Sequence, residues 1–110
     1  MKSATAVSRL AALAQESRLA VFRALVQAGP DGLCAGDIGA KLEIAAATLS
    51  FHLKELAHAG LLKPRQEGRF IYYAPDFKVM TDLIGYLTEN CCGGKSCDAV
   101  CAPAPKRKAA

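Results

Sequence analysis

Apolar residues recur at helical spacing along most of the chain up to Asn90. Residues 4–14 place Val7, Leu10, Leu13 and Ala14 three or four positions apart, which predicts a first helix. Ser17 to Ala28 follows with Leu19, Val21, Phe22, Leu25 and Val26, a stripe broad enough for a buried central helix. The turn Gly29-Pro30-Asp31-Gly32 stops it. Gly36 to Leu42 predicts a short helix with Ile38 and Leu42 on one face, and Glu43-Ile44 connects it to a longer one over Ala45 to Ala59. There Leu49, Leu53 and Leu56 repeat at i, i+4 and i+7. Gly60 follows as the glycine that ends a helix.

After Leu61 the period changes. Leu62-Lys63-Pro64-Arg65 and Phe70-Ile71-Tyr72-Tyr73-Ala74 predict two short strands joined through Gln66-Glu67-Gly68-Arg69, where the glycine supplies the positive φ of a hairpin. Asp76 is positioned to cap a final helix that runs to Asn90. Its apolar face is Phe77, Met80, Leu83, Ile84 and Leu87. Beyond Asn90 the pattern stops. Residues 93–110 mix Gly, Ser, Pro and Ala with a Lys106-Arg107-Lys108 run, a composition expected to be flexible. The chain divides into a domain over 1–90 and a Cys-rich tail over 91–110.

The order helix, helix, short helix, long helix, hairpin, helix is mainly α with a β-hairpin wing, the pattern of a winged helix-turn-helix. In that architecture the second helix of the close pair fits the major groove of double-stranded DNA and the wing lies on adjacent backbone. With Leu49 inward, Leu53 and Leu56 lie within about 40° of it at about 100° per residue. Ala47, Ser50, Phe51 and Lys54 then point away, and Thr48 flanks them. Small residues allow close approach, hydroxyls suit base edges or phosphates, and lysine suits phosphate. Phe51 is an exposed aromatic for which a thymine methyl is one partner. His52 sits at the boundary, where a half-buried core histidine and a phosphate or base contact are equally compatible with the pattern. Arg65 and Arg69 flank the hairpin turn. Two such cations are commonly solvated surface, but beside a helix of this kind contact with backbone or minor groove is expected. The last helix carries more apolar surface than one small domain covers. A palindromic site also needs two-fold symmetry, so a homodimer is expected.

At 110 residues the chain is one small domain, and its 52% hydrophobic content with only 6% aromatics favours helices. A net charge of +4 permits nucleic-acid binding without establishing it. No apolar run reaches the roughly 18 residues of a membrane span, and no signal-peptide pattern opens the chain. A cytoplasmic protein with reduced thiols is expected. Cys101 to Arg107 has the Cys-x₅-Arg spacing of a phosphate-binding catalytic loop, but Pro103 and Pro105 remove two of the backbone donors such a loop needs. No enzyme and no organic cofactor are expected.

Four of the five cysteines fall between Cys91 and Cys101. Several thiols in a polar segment suit soft metals, metalloids or redox sensing. Cys91 and Cys92, with Cα atoms about 3.8 Å apart, can chelate one centre, and Gly93-Gly94 can turn the chain to return Cys97. Cys101 either substitutes for Cys97 or stands free. A four-thiolate zinc or cadmium site, a redox or persulfide switch, a metalloid buffer with no operator, and a cluster that binds nothing specific remain open alternatives.

Leu33-Cys34-Ala35-Gly36-Asp37-Ile38, Thr48-Leu49-Ser50-Phe51-His52-Leu53-Lys54-Glu55-Leu56, Ala59-Gly60-Leu61-Leu62 and Arg65-Gln66-Glu67-Gly68-Arg69-Phe70-Ile71-Tyr72-Tyr73 together resemble the ArsR/SmtB family of winged-helix metal-sensing repressors. The resemblance covers roughly residues 7–90. It implies a homodimer whose first and last helices form the interface, bringing Val7 and Leu10 beside Phe77, Met80, Leu83, Ile84 and Leu87. It also implies repression of a resistance operon, relieved by an inducer.

One arsenic site of that family lies at the start of the short helix as Cys-x-Cys-x-x-Cys. Here those positions are Cys34, Gly36 and Gly39, so one thiol remains and Cys34 is expected to be structural. A family zinc site begins Asp-x-His on the last helix; here the residues are Asp76-Phe77-Lys78, and His52 and His58 lie elsewhere. The remaining likeness is to members with vicinal cysteines directly after the last helix and a third a few residues on. It implies Cys91, Cys92 and Cys97 as ligands for As(III) or Sb(III), acting as the inducer.

Overall fold

A computed structural model describes residues 1–94. Cys97, Cys101 and the Lys106-Arg107-Lys108 run lie outside the described residues. The elements in order are α1 (Ser3–Leu13), α2 (Glu16–Ala28), β1 (Leu33–Cys34), α3 (Ala35–Leu42), α4 (Ala46–His58), β2 (Leu62–Glu67), β3 (Phe70–Pro75), α5 (Phe77–Leu87) and a 3₁₀ turn over Cys91–Gly94. This is a winged helix-turn-helix.

Helix ends explain why the breaks fall where they do. The Gln15 side chain accepts from Arg18 N at 2.8 Å and opens α2. Gly29, at φ 92, closes it. At the end of α4, Gly60 takes φ 82, Gly60 N donates to Ala57 O and Leu61 N donates to Leu56 O, both at 3.0 Å. That paired closure is the Schellman arrangement, which a glycine adopts without a steric penalty. Asp76 caps α5 by accepting from Val79 N at 3.2 Å.

The core is one cluster: Val21, Phe22 and Leu25 from α2, Ile38 from α3, Leu49, Leu53 and Leu56 from α4, then Leu61 and Leu62. The three-stranded antiparallel sheet has the order β1-β3-β2. Leu62 pairs with Pro75 at the base of the wing, and Glu67 pairs with Phe70 at its tip. Gly68, at φ 62, and Arg69 form the turn between them.

The structure adds one strand and corrects two local expectations. Leu33–Cys34 is a strand, because its two residues pair with Tyr73 and Tyr72 on the free edge of β3. Gln66 and Glu67 belong to β2, so the hairpin loop is two residues rather than four. The last helix ends at Leu87 and not Asn90, since Glu89 N donates to Tyr86 O at 3.3 Å, three residues back rather than four, and Asn90 turns to φ 56.

Candidate nucleic-acid interface and inducer site

The inner stripe of α4 orients its outer face. Leu49, Leu53 and Leu56 are all buried, which turns Ala47, Thr48, Ser50, Phe51 and Lys54 outward, and each of these is exposed. Phe51 is 55% exposed, and its ring centroid lies 5.9 Å from that of His52. A groove-filling helix needs such a strip: small residues, two hydroxyls, one aromatic and one cation.

His52 departs from the expected DNA-contacting set. It is only 6% exposed, and its Nδ1 is buried with no hydrogen-bond partner among the described residues. Residue 52 lies about 60° from Leu49 and about 40° from Leu56 around α4, at the edge of the inner stripe, and the packed protomer closes over it.

The two wing arginines play different parts. Arg65 Nε lies 2.7 Å from Glu67 Oε2, its Nη2 donates to Asp31 O at 3.3 Å, and its guanidinium sits 5.3 Å from the centroid of Tyr72, its cross-strand neighbour. These contacts tie Arg65 into the base of the wing. Arg69 is exposed at the tip, between Gly68 and Phe70. Phe70 is 58% exposed and Ile71 43%, so the wing tip is partly apolar. The sequence pattern counted both as strand residues. Their position beyond Tyr73, the last wing residue packed against the core, is the signal for exposure.

The short-helix site has one thiol. Cys34 is half-buried, and its Sγ donates to Asp37 Oδ2 at 3.3 Å. A Cβ on Gly39 would lie 3.2 Å from Ile44 O, whereas a Cβ on Gly36 would meet nothing within 4 Å. Among the described residues no three His, Cys, Asp or Glu side chains gather as a metal site. Toward the other end of the chain, Cys91 N donates to Thr88 O at 3.0 Å, and Cys91 opens the 3₁₀ turn after the turn residues Thr88, Glu89 and Asn90 that follow α5. Gly93 in this turn has φ 65. The backbone of Cys91 and Cys92 therefore follows the last helix after one short turn.

An apolar groove of about 460 Å³ lies between α1, α2 and α5. Leu10, Leu13, Leu19, Met80, Leu83, Ile84 and Leu87 line it. Ile84 and Leu87 are 54% and 58% exposed, and Val7 is 61% exposed on α1. Leu83 is instead buried within the protomer, and Phe77 lies in a separate groove beside Pro30, Pro64 and Pro75. Leu19, 43% exposed, belongs to this face although periodicity alone assigned it to the central helix stripe.

Residues 13–65 match the family described as a helix-turn-helix domain. YceK of Bacillus subtilis, an uncharacterized HTH-type transcriptional regulator, is 43% identical over 77 residues, spanning 69% of this chain and 76% of that protein. Among solved structures, the homodimeric winged helix-turn-helix DNA-binding domain of Mb0332 from Mycobacterium bovis has a TM-score of 0.62 at 25% identity, covering 78% of this chain and 80% of that one. The antimony-specific transcriptional repressor AntR has a TM-score of 0.60 at 30% identity, covering 74% and 72%. No helix among the described residues is long and apolar enough to cross a membrane.

Proposed function

The chain belongs to the helix-turn-helix transcriptional regulators, and on that premise we propose that it is an ArsR-family homodimeric repressor released from its operator by trivalent arsenic or antimony held by Cys91, Cys92 and Cys97. The observation that carries this reading is the position of the vicinal pair. The chain turns at Asn90 just beyond α5, the helix whose Ile84 and Leu87 form the exposed apolar face. Thiolates drawn together there act on the end of the helix that joins two protomers. The chemistry of the donors agrees: three sulfurs suit a soft three-coordinate centre better than the oxygens and imidazoles elsewhere in the chain. The repressor AntR, specific for antimony, shares the fold.

Operator contacts in this reading come from Ala47, Thr48, Ser50, Phe51 and Lys54 in the major groove and Arg69 at the wing tip, with Arg65 shaping the wing. Each protomer supplies one such surface. Inducer binding changes the separation of the two surfaces, and the coupling required is modest. Tenfold weaker DNA binding corresponds to about 1.4 kcal/mol.

The test begins with a duplex selected from a random-sequence pool by the full-length protein. Arsenite and antimonite should each release that duplex in fluorescence anisotropy. Cys97→Ser should bind the duplex normally and resist release. Release by polysulfide or oxidant, with none by arsenite, would replace the metalloid reading with a thiol switch. Release by zinc or cadmium alone would make it a divalent-metal sensor.

A further inference from the structure

A second polar surface lies where α1, α2 and α4 meet. Arg9 Nε donates to Ala59 O at 3.3 Å, and Arg18 Nε donates to Ala12 O at 2.7 Å. Each arginine thus closes the end of a helix through Nε alone. Among the described residues neither guanidinium lies within ion-pair distance of a carboxylate, the ion pairs there being Arg65–Glu67 and Lys78–Asp82. Their terminal nitrogens keep their donors for another acceptor. Two adjoining grooves, about 440 and 340 Å³, share Ser8, His58 and Ala59. Arg9 and Thr5 line the first, and Arg18 and Glu55 the second. Two guanidiniums, an imidazole and two hydroxyls face a single carboxylate, a donor set that suits an oxyanion.

The placement of this surface says which oxyanion. At about 100° per residue, Ala47, Phe51 and Lys54 all lie within about 40° of His58 around α4. His58 therefore continues the outward strip by one turn and is itself exposed. On α1, Val7 and Leu10 point about 100° and 160° away from Ser8 by the same arithmetic. A second copy seated on the apolar face leaves the Ser8 side open.

We propose that Arg9, Arg18 and His58 clamp a backbone phosphate of bound duplex DNA, extending the contact from α4 onto α1. This inference rests on the DNA-binding reading above. The clamp makes α1 both a dimerisation helix and a DNA-positioning helix.

Ser8 provides the test, because its replacement leaves both arginine-to-carbonyl bonds in place. Affinity for the selected duplex is measured from roughly 50 to 300 mM salt, with circular dichroism confirming the fold. Each phosphate contact contributes about 0.9 to the slope of log K against log salt. Ser8→Glu should weaken binding at least about tenfold and flatten the slope by about one contact. Ser8→Lys should strengthen binding and steepen it. Unchanged affinity and slope in both folded variants overturns the clamp. Inorganic phosphate at millimolar concentration, added to the DNA-free protein, distinguishes the other source. Should it shift the His58 imidazole resonances while Ser8→Glu leaves the salt slope intact, the groove takes free phosphate and the backbone clamp is wrong. A wild-type protein that binds no duplex at all defeats the DNA-binding reading itself.

Discussion

Gly32 and Gly68 both hold positive φ, yet the structure asks different things of them. A Cβ on Gly32, at φ 77, would sit 2.4 Å from the carbonyl oxygen of Tyr73, whereas a Cβ on Gly68, at φ 62, would meet open space. Gly68→Ala should cost about 1 kcal/mol from backbone strain alone. Gly32→Ala adds a clash with backbone and should cost at least about 2 kcal/mol more. Urea denaturation of the two variants measures the difference, and equal losses would show that β1 can move away. Both glycines are visible in the sequence as turn residues. The approach of Tyr73 to one of them is not, because it depends on β3 folding back over the loop. His52 carries a similar lesson. Its phase on α4 was compatible with either face, and packing against the inner stripe decided it. A buried nitrogen without a partner costs roughly 1–3 kcal/mol, so His52→Leu should leave the melting temperature unchanged or raised. A marked fall would mean that Nδ1 has a polar partner when the protein is in solution.

Most helices and the wing were legible because each had a local marker: the leucine repeat of α4, Gly60, Asp76 and Gly68. β1 had no such marker. Two residues carry no period, and Leu33–Cys34 becomes a strand only through the edge that β3 offers. Composition beyond Leu87 permits helix, and the shift of Glu89 N to Tyr86 O and the left-handed Asn90 end it. Asp76→Ala should cost about 1 kcal/mol by removing the α5 cap. Lys78→Ala should change stability by less than about 0.5 kcal/mol, since its bond to Asp82 is an exposed i,i+4 pair. In the wing, Arg69→Ala should lower the salt slope of DNA binding by about 0.9 without changing stability. Arg65→Ala should weaken binding as well, but with faster hydrogen exchange across β2 and β3, because Arg65 braces the hairpin. Identical exchange in the two variants would refute that division of labour.

The apolar face formed by Leu10, Leu19, Ile84 and Leu87, with Val7 also exposed on α1, gives the molecule its proposed symmetry. Leu87→Glu places a charge on a residue that is 58% exposed in the protomer, so the fold should persist. Sedimentation should show a monomer at micromolar concentration, and DNA affinity should fall by at least tenfold through lost avidity. A Leu87→Glu protein that stays dimeric would move the interface elsewhere. By itself the sequence determined the winged helix-turn-helix architecture and the outward strip of α4. These follow from local period, turn chemistry and side-chain type, none of which needs distant partners. The tertiary structure alone decided that His52 faces inward, that Arg65 braces the wing through Asp31 and Tyr72, that Leu83 is buried in the protomer, and that Leu19 joins the apolar face. It also brought Arg9, Arg18 and His58, from three different helices, to one surface. Each of those outcomes depends on how helices and strands far apart in the chain pack against one another, and one-dimensional periodicity carries no information about that.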